Sequence, residues 1–197
     1  MQVAGLGSSG LSSLYGEMCQ AGLSKKERDF CHEMLEDMES IDSELYNHSA
    51  NVFRYALRIS EVFGLNTRQM GLGGMTHDIG KIWTPQSILK KQSKPSNLEF
   101  KRIKKHPKVG GKELSKYGFT DAADIAYEHH MHQSNFYPKK KADMNPLSSF
   151  VSLADWYVAS FRKDGYDCSG EKRVRFERDH PSQKREIGIL YDAGVFA

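Results

Sequence analysis

The stretch IDSELYNHSANVFRYALRI, residues 41–59, decides the fold. Ile41, Leu45, Val52, Ala56 and Ile59 recur at helical spacing and form one apolar stripe. Glu44 and His48 are four apart, so they share a helix face one turn from each other, and that face is the stripe itself. Working outward, Ser24-Lys25-Lys26-Glu27 reads as a capping box, with Ser24 as N-cap of the preceding helix. Downstream, the pattern predicts helices over 67–79, 98–105, 107–116, 120–133, 146–163 and 182–191. Gly64, Gly80 and Gly118 fall where helices should stop, and Pro107 and Pro146 where they start. No run of period-2 alternation and no repeat interrupts this. Segments 134–145 and 164–181 read as loops, the second charged and carrying Gly165 and Gly170; loops of that length are usually functional or mobile.

The expectation is an all-α, bundle-like domain over 24–197 behind a leader, 1–23. Gly5-x-Gly7-x-x-Gly10 formally matches a dinucleotide fingerprint, but there is no room upstream for a strand and no βαβ unit follows. The start of the chain therefore reads as a flexible Gly/Ser segment. With 197 residues, 39% apolar and 27% charged, the chain is neither a disordered tail nor a membrane span. Cys19, Cys31 and Cys168 are too few and scattered for a disulfide framework or zinc ribbon, and a cytoplasmic setting is expected. A net charge of +3 permits an anionic ligand without marking nucleic acid.

The informative residues are ionisable groups on apolar faces. His77-Asp78 follows Met70 and Gly74 at helical spacing, with Lys81 one turn beyond. His129-His130 follows Ala122 and Ala126 on the inner side of a helix, and Asp155 lies between Val151 and Val158. His106 stands directly before Pro107. Burying one such group unpaired costs several kcal/mol, so three carboxylates and five histidines directed into one core are either mutually paired or bound to metal. Taken singly, His32, His132 and His180 read as surface or hydrogen-bonded histidines. Imidazole with carboxylate suits Mn, Fe, Zn or Ni, and an adjacent His-Asp can serve two metals, the carboxylate bridging both.

Carried by His48, His77-Asp78-Ile79-Gly80-Lys81-Ile82, Pro85, Ile88-Leu89, Ile103-x-x-His106-Pro107-x-x-Gly110, His129-His130, Tyr137-Pro138, Pro146-Leu147, Ala154-Asp155 and Tyr191-Asp192-Ala193-Gly194-Val195-Phe196, the chain resembles the HD superfamily of metal-dependent phosphohydrolases and, within it, the HD-GYP family. The resemblance spans Leu45 to Phe196 and implies an HD-domain helical bundle with a metal site in its core. It implies His48, His77, Asp78, His106, His129, His130 and Asp155 as metal ligands, with Glu44 as the extra acid of members that hold a third metal. It further implies two or three divalent ions, iron or manganese before nickel or zinc, and a cyclic dinucleotide substrate, cyclic di-GMP or cyclic GMP-AMP.

Departures from the family pattern fall on the substrate side. Met131-His132-Gln133-Ser134-Asn135-Phe136-Tyr137-Pro138 is one residue shorter than the family segment and lacks both its glycines. Val158 replaces an acid, and Arg162-Lys163 only loosely echo an arginine-rich stretch. Lys81, Tyr137, Arg162 and Lys163 are the expected substrate-binding residues, with Asp78 and Lys81 as the catalytic ones. The expected chemistry is in-line attack on phosphorus by a hydroxide held between two metals, with Lys81 offsetting charge in the transition state.

The basic residues Lys90, Lys91, Lys94, Lys101, Arg102, Lys104, Lys105 and Lys139 to Lys141 read either as steering an anion or as solvated faces. No basic stripe interleaves with aromatics as a strand-binding groove requires, and no membrane partner is expected. The alternatives are a phosphohydrolase of another nucleotide or phosphoester, and a metal-retaining, non-catalytic module that binds a nucleotide or protein. A homodimer and an upstream sensory domain of a longer protein stay open as partners.

Overall fold

The structure is a computed structural model that describes residues 8–134, 136–139, 142–161 and 169–196. Its described elements are helical throughout: α1 (Ser8–Gln20), α2 (Lys25–Ile41), α3 (Ser43–Phe63), α4 (Thr67–Thr76), a 3-10 turn (Ile79–Trp83), α5 (Gln86–Leu89), α6 (Asn97–Ile103), α7 (His106–Lys116), α8 (Thr120–Glu128), α9 (Pro146–Ser160), α10 (Ser169–Asp179) and α11 (Lys184–Asp192). The fold is an all-α bundle, as the periodicity predicts. None of the described helices is long and apolar enough to cross a membrane.

The capping box forms as read. The Ser24 backbone N–H donates to Glu27 Oε2 at 2.8 Å, and the Glu27 N–H donates to Ser24 Oγ at 3.3 Å. Asp42 ends α2 and caps α3 by accepting from the Glu44 N–H at 2.9 Å. Ile41 therefore belongs to α2, and the stripe on α3 is Leu45, Val52, Ala56 and Ile59, all buried. α3 ends at Gly64, whose φ of 62° is the left-handed value that glycine tolerates best.

α3 is the central helix, packed on α2, α4 and α9. One side of the core gathers Leu14, Leu35, Met38, Phe53, Met75 and Leu114. The other gathers Val52, Ile59, Met70, Tyr157, Phe176 and Phe196, where Tyr157 stacks on Phe196 with centroids 4.1 Å apart.

Several expectations are corrected. From Ser8 onward the supposed flexible leader is helix α1, and Leu14 and Met18, four apart on one face, are buried in the core. The supposed loop 164–181 contains α10, which buries Phe176 among mostly charged neighbours, with buried His180 directly after it. The predicted helix 120–133 stops at Glu128, and the predicted helix 67–79 stops at Thr76 before the 3-10 turn.

Gly80 is not a helix stop. It lies inside the 3-10 turn, where a Cβ would stand 2.0 Å from the His106 carbonyl oxygen and 2.8 Å from the Gly110 nitrogen. Only a residue without a side chain lets this turn press against the start of α7. Gly80→Ala should therefore destabilise the protein by about 3 kcal/mol, the upper end for overpacking, seen as a lower urea midpoint.

Glu27 carries a second role. Its carboxylate, with 4% of the side chain exposed, takes a two-pronged ion pair from Arg68, Nη2–Oε1 at 2.6 Å and Nε–Oε2 at 3.0 Å, joining α2 to α4. Burial pushes its pKa up, but the Arg68 fork and the Ser24 hydrogen bonds outweigh that and hold it below 4.5. A pKa lowered by folding contributes stability above the unfolded value that is lost as pH falls through the folded one. Glu27→Gln should cost about 1–3 kcal/mol at neutral pH, and the gap to wild type in urea titrations should close as pH falls through the lowered pKa of the folded state.

Candidate metal centre

Three helix ends deliver three histidines. His77 caps the C-terminus of α4, His129 caps that of α8, and His106 opens α7 just after α6. Each ring uses Nδ1 on the carbonyl three residues back: His77 on Gly74 at 2.8 Å, His106 on Ile103 at 2.8 Å and His129 on Ala126 at 2.9 Å. Carbonyls in a last helical turn lack an intrahelical donor, so the histidine supplies one. A carbonyl can only accept, which puts the proton on Nδ1 and leaves Nε2 as a lone-pair donor facing inward. The negative C-terminal ends of α4 and α8 lie at His77 and His129 and favour a cation, while the positive N-terminal end of α7 lies at His106.

The inward nitrogens converge with two carboxylates. Asp78 Oδ1 lies 3.1 Å from His106 Nε2 and 3.8 Å from His129 Nε2. Its other oxygen, Oδ2, lies 3.4 Å from His77 Nε2 and 3.6 Å from His48 Nε2, and contacts Lys81 Nζ. Asp155 Oδ1, from the middle of α9, is 3.0 Å from His48 Nε2 and 3.7 Å from His77 Nε2. His130 completes the second set, its ring 4.1 Å from that of His129 and 5.2 Å from that of His106. Three overlapping groups result, each with donor atoms within 4.8 Å of one another: His48-His77-Asp155, His77-Asp78-His129 and His106-His129-His130. Asp78 stands between the outer two, one oxygen toward each.

These donors ask for a cation. With Nδ1 protonated on both rings, His106 Nε2 and His129 Nε2 face each other lone pair to lone pair at 3.3 Å. His77 Nε2 and Asp78 Oδ1 are buried without a hydrogen bond. For the two carboxylates, His129 and His130, protonation already favours ligation, whereas His77 has to lose a proton when a metal binds. Burial raises the carboxylate pKa values, yet Lys81 and His77 hold Asp78 well below the usual range, and His48 and His77 do so for Asp155. Burial and neighbouring histidines push His129 well down, and burial takes His130 to about 3. Burial also works against a charged His77, but Asp78 and Asp155 prevail and lift it to about 9. The buried His/Asp clusters are consistent with divalent-metal binding.

Over residues 45–160, more than half its length, the sequence matches the HD domain family. The chain belongs to that family. Among curated relatives, this HD domain is 31% identical over 98 residues to the cyclic di-GMP phosphodiesterase PA4108 of Pseudomonas aeruginosa, covering 47% of this chain and 24% of that protein. It is 28% identical over 151 residues to a cyclic di-GMP phosphodiesterase of Thermotoga maritima, covering 70% of this chain and 41% of that protein. The chain thus spans well under half the length of these relatives. Its fold resembles the HD domain of L. monocytogenes phosphodiesterase PgpH in complex with cyclic-di-AMP, with a TM-score of 0.65 at 20% identity, covering 83% of this chain and 94% of that one.

A cleft of about 260 Å³ opens over the HD centre, lined by His48, Lys81, His106, His130, Tyr137 and Asp155. A hollow of about 640 Å³ between α1 and α2 is larger, but none of the clustered histidines reaches it. Tyr137 borders this cleft, its ring 4.5 Å from that of His130, with burial raising its hydroxyl pKa. Lys104 Nζ lies 4.9 Å from the Tyr137 ring and 4.8 Å from that of Phe100, extending this wall outward.

Glu44 does not join the centre. It is exposed on the first turn of α3, outside all three groups, so sharing a face with His48 did not carry it inside. Arg162 and Lys163 fall outside the described residues. Gln133, Trp156 and Arg175 also line the cleft and were missed. Trp156 is adjacent to Asp155, and Arg175 was hidden in the segment read as loop.

Adding Mn(II) to metal-free protein should raise its melting temperature, by the equivalent of about 2.7 kcal/mol at a hundredfold excess over Kd. Asp78→Asn should reduce this gain more than His130→Ala, because Asp78 faces both outer groups. Calorimetry with elemental analysis of bound metal checks both.

Proposed function

We propose that this HD domain is a metal-dependent phosphodiesterase that hydrolyses a cyclic dinucleotide, cyclic di-GMP or cyclic GMP-AMP. The carrying observation is Asp78 set between two buried histidine groups, one oxygen toward each, with Lys81 at its side. In this reading His48, His77, Asp78 and Asp155 hold one ion, and Asp78, His106, His129 and His130 hold a second. Imidazole and carboxylate donors favour iron or manganese, with nickel or zinc also accommodated. Metal held by these residues would supply the Lewis acidity that makes water a nucleophile near neutral pH. Asp78 keeps the two groups in register. Lys81, 19% exposed at the cleft floor, presents a cation to a phosphate oxygen and offsets the charge that builds during attack. Tyr137 forms the wall against which the substrate's sugar and base lie.

The curated relatives that are cyclic di-GMP phosphodiesterases, and a Vibrio cholerae relative described as a 3'3'-cGAMP-specific phosphodiesterase, support this substrate class. Together with Tyr137-Pro138 they support an HD-GYP-like assignment with an altered 131–138 segment. A second reading, hydrolysis of a smaller phosphoester, is favoured by the cleft volume of about 260 Å³, which is below the range for sites enclosing drug-sized ligands.

Protein purified without oxygen and loaded with Fe(II) or Mn(II) should cleave cyclic di-GMP or cyclic GMP-AMP when the products are resolved by chromatography. Linear dinucleotides and mononucleotides are the comparison substrates. Asp78→Ala should lower turnover by more than the roughly 10–100-fold typical of losing an outer-shell partner of a metal. Cleavage of only the smaller esters would establish the second reading, and undiminished turnover in Asp78→Ala would remove the site.

A further inference from the structure

Arg175 is a cation on the wall of the cleft, supplied by α10, and nothing in the metal centre uses it. Its helix is well fixed. Trp156 and Phe176 stack with centroids 4.2 Å apart and planes 9° from parallel, clamping α10 onto α9. Ser152 Oγ and His180 Nε2 meet at 3.2 Å, and the Ser134 N–H donates to the Asp179 carbonyl at 2.8 Å. The guanidinium itself is loosely engaged. Its carbon lies 5.9 Å from the Trp156 ring centre, and Nε is 3.8 Å from Asp179 Oδ2, an oxygen that already accepts from Trp156 Nε1 at 3.1 Å. The side chain is 41% exposed and borders the same cleft as Lys81, His48 and Asp155.

A fixed helix thus presents a planar, five-donor cation to a cleft whose floor is already assigned to one phosphate. Arginine in that setting recognises a second phosphoryl group through paired N–H···O bonds. We propose that Arg175 binds the non-scissile phosphate of a two-phosphate substrate while the scissile one lies over Asp78 and Lys81. This rests on the cyclic-dinucleotide reading above, since a cyclic dinucleotide carries two phosphodiesters on opposite sides of its ring. Arg175 is a substrate-binding residue here and takes no part in bond cleavage.

The test compares metal-loaded wild type, Arg175→Gln and Arg175→Lys on cyclic di-GMP, cyclic GMP-AMP and bis(p-nitrophenyl) phosphate, a diester with one phosphate. Arg175→Gln should raise KM for the cleaved cyclic dinucleotide about tenfold with kcat within about twofold, and Arg175→Lys should recover part of the loss. Both constants for the single-phosphate diester should stay within about twofold, which a displaced α10 or damaged metal centre would not allow. An unchanged KM for the cyclic dinucleotide, or equal losses on both kinds of substrate, overturns the role of Arg175 and leaves the function standing. Wild type that cleaves the single-phosphate diester but no cyclic dinucleotide overturns the function, and this inference with it.

Discussion

Charge buried in a helical core has to be answered by other charge, and that constraint organises this molecule. Five histidines and two carboxylates sit where apolar side chains would ordinarily pack, and Asp78 is nearly fully buried. Leaving any of them alone would forfeit several kcal/mol. The fold answers by using helix ends as the mounting points. At the ends of α4, α6 and α8 the backbone has carbonyls to spare, and each histidine satisfies one while its other nitrogen faces inward. The C-terminal ends of α4 and α8 carry the negative poles of their helix dipoles, which adds to the pull of the side chains on a cation.

That arrangement sets tolerances elsewhere. His106 and Asp78 come from segments 28 positions apart and still meet at 3.1 Å, because the 3-10 turn after Asp78 lies directly against the start of α7. Gly80 is the residue that permits the contact. The split between α4 and the 3-10 turn, invisible to a periodicity reading, is equally necessary: it turns His77 and Asp78 into the interior together where a continuous helix would set them about 100° apart.

Most of this was legible because burying an ionisable group leaves a mark in the sequence. His48 within the Leu45–Ile59 stripe, Asp155 between Val151 and Val158, and His129-His130 after Ala122 and Ala126 each break an apolar pattern, and all came together in the centre. What stayed hidden obeys different physics. α10 is stabilised by one aromatic stack and a thin apolar edge, so its sequence reads as a charged loop. α1 buries Leu14 and Met18 within a run of glycine and serine that dilutes the pattern. Glu44 shows the opposite failure: helical spacing fixes which way a side chain faces, but whether neighbouring helices reach that far along α3 is a property of packing.

Trp156 gives the centre a voice that can be heard from outside. Its indole follows Asp155 in the chain, borders the cleft, and is held rigid by Phe176 and Asp179. The chain's other tryptophan, Trp83, is 53% exposed and emits from water. The two fluorophores should therefore differ in colour, the more sheltered one emitting at the bluer end. A paramagnetic ion held by Asp155 would lie beside Trp156 and should quench its emission, so the fluorescence of the unmodified protein would report the filling of its own interior.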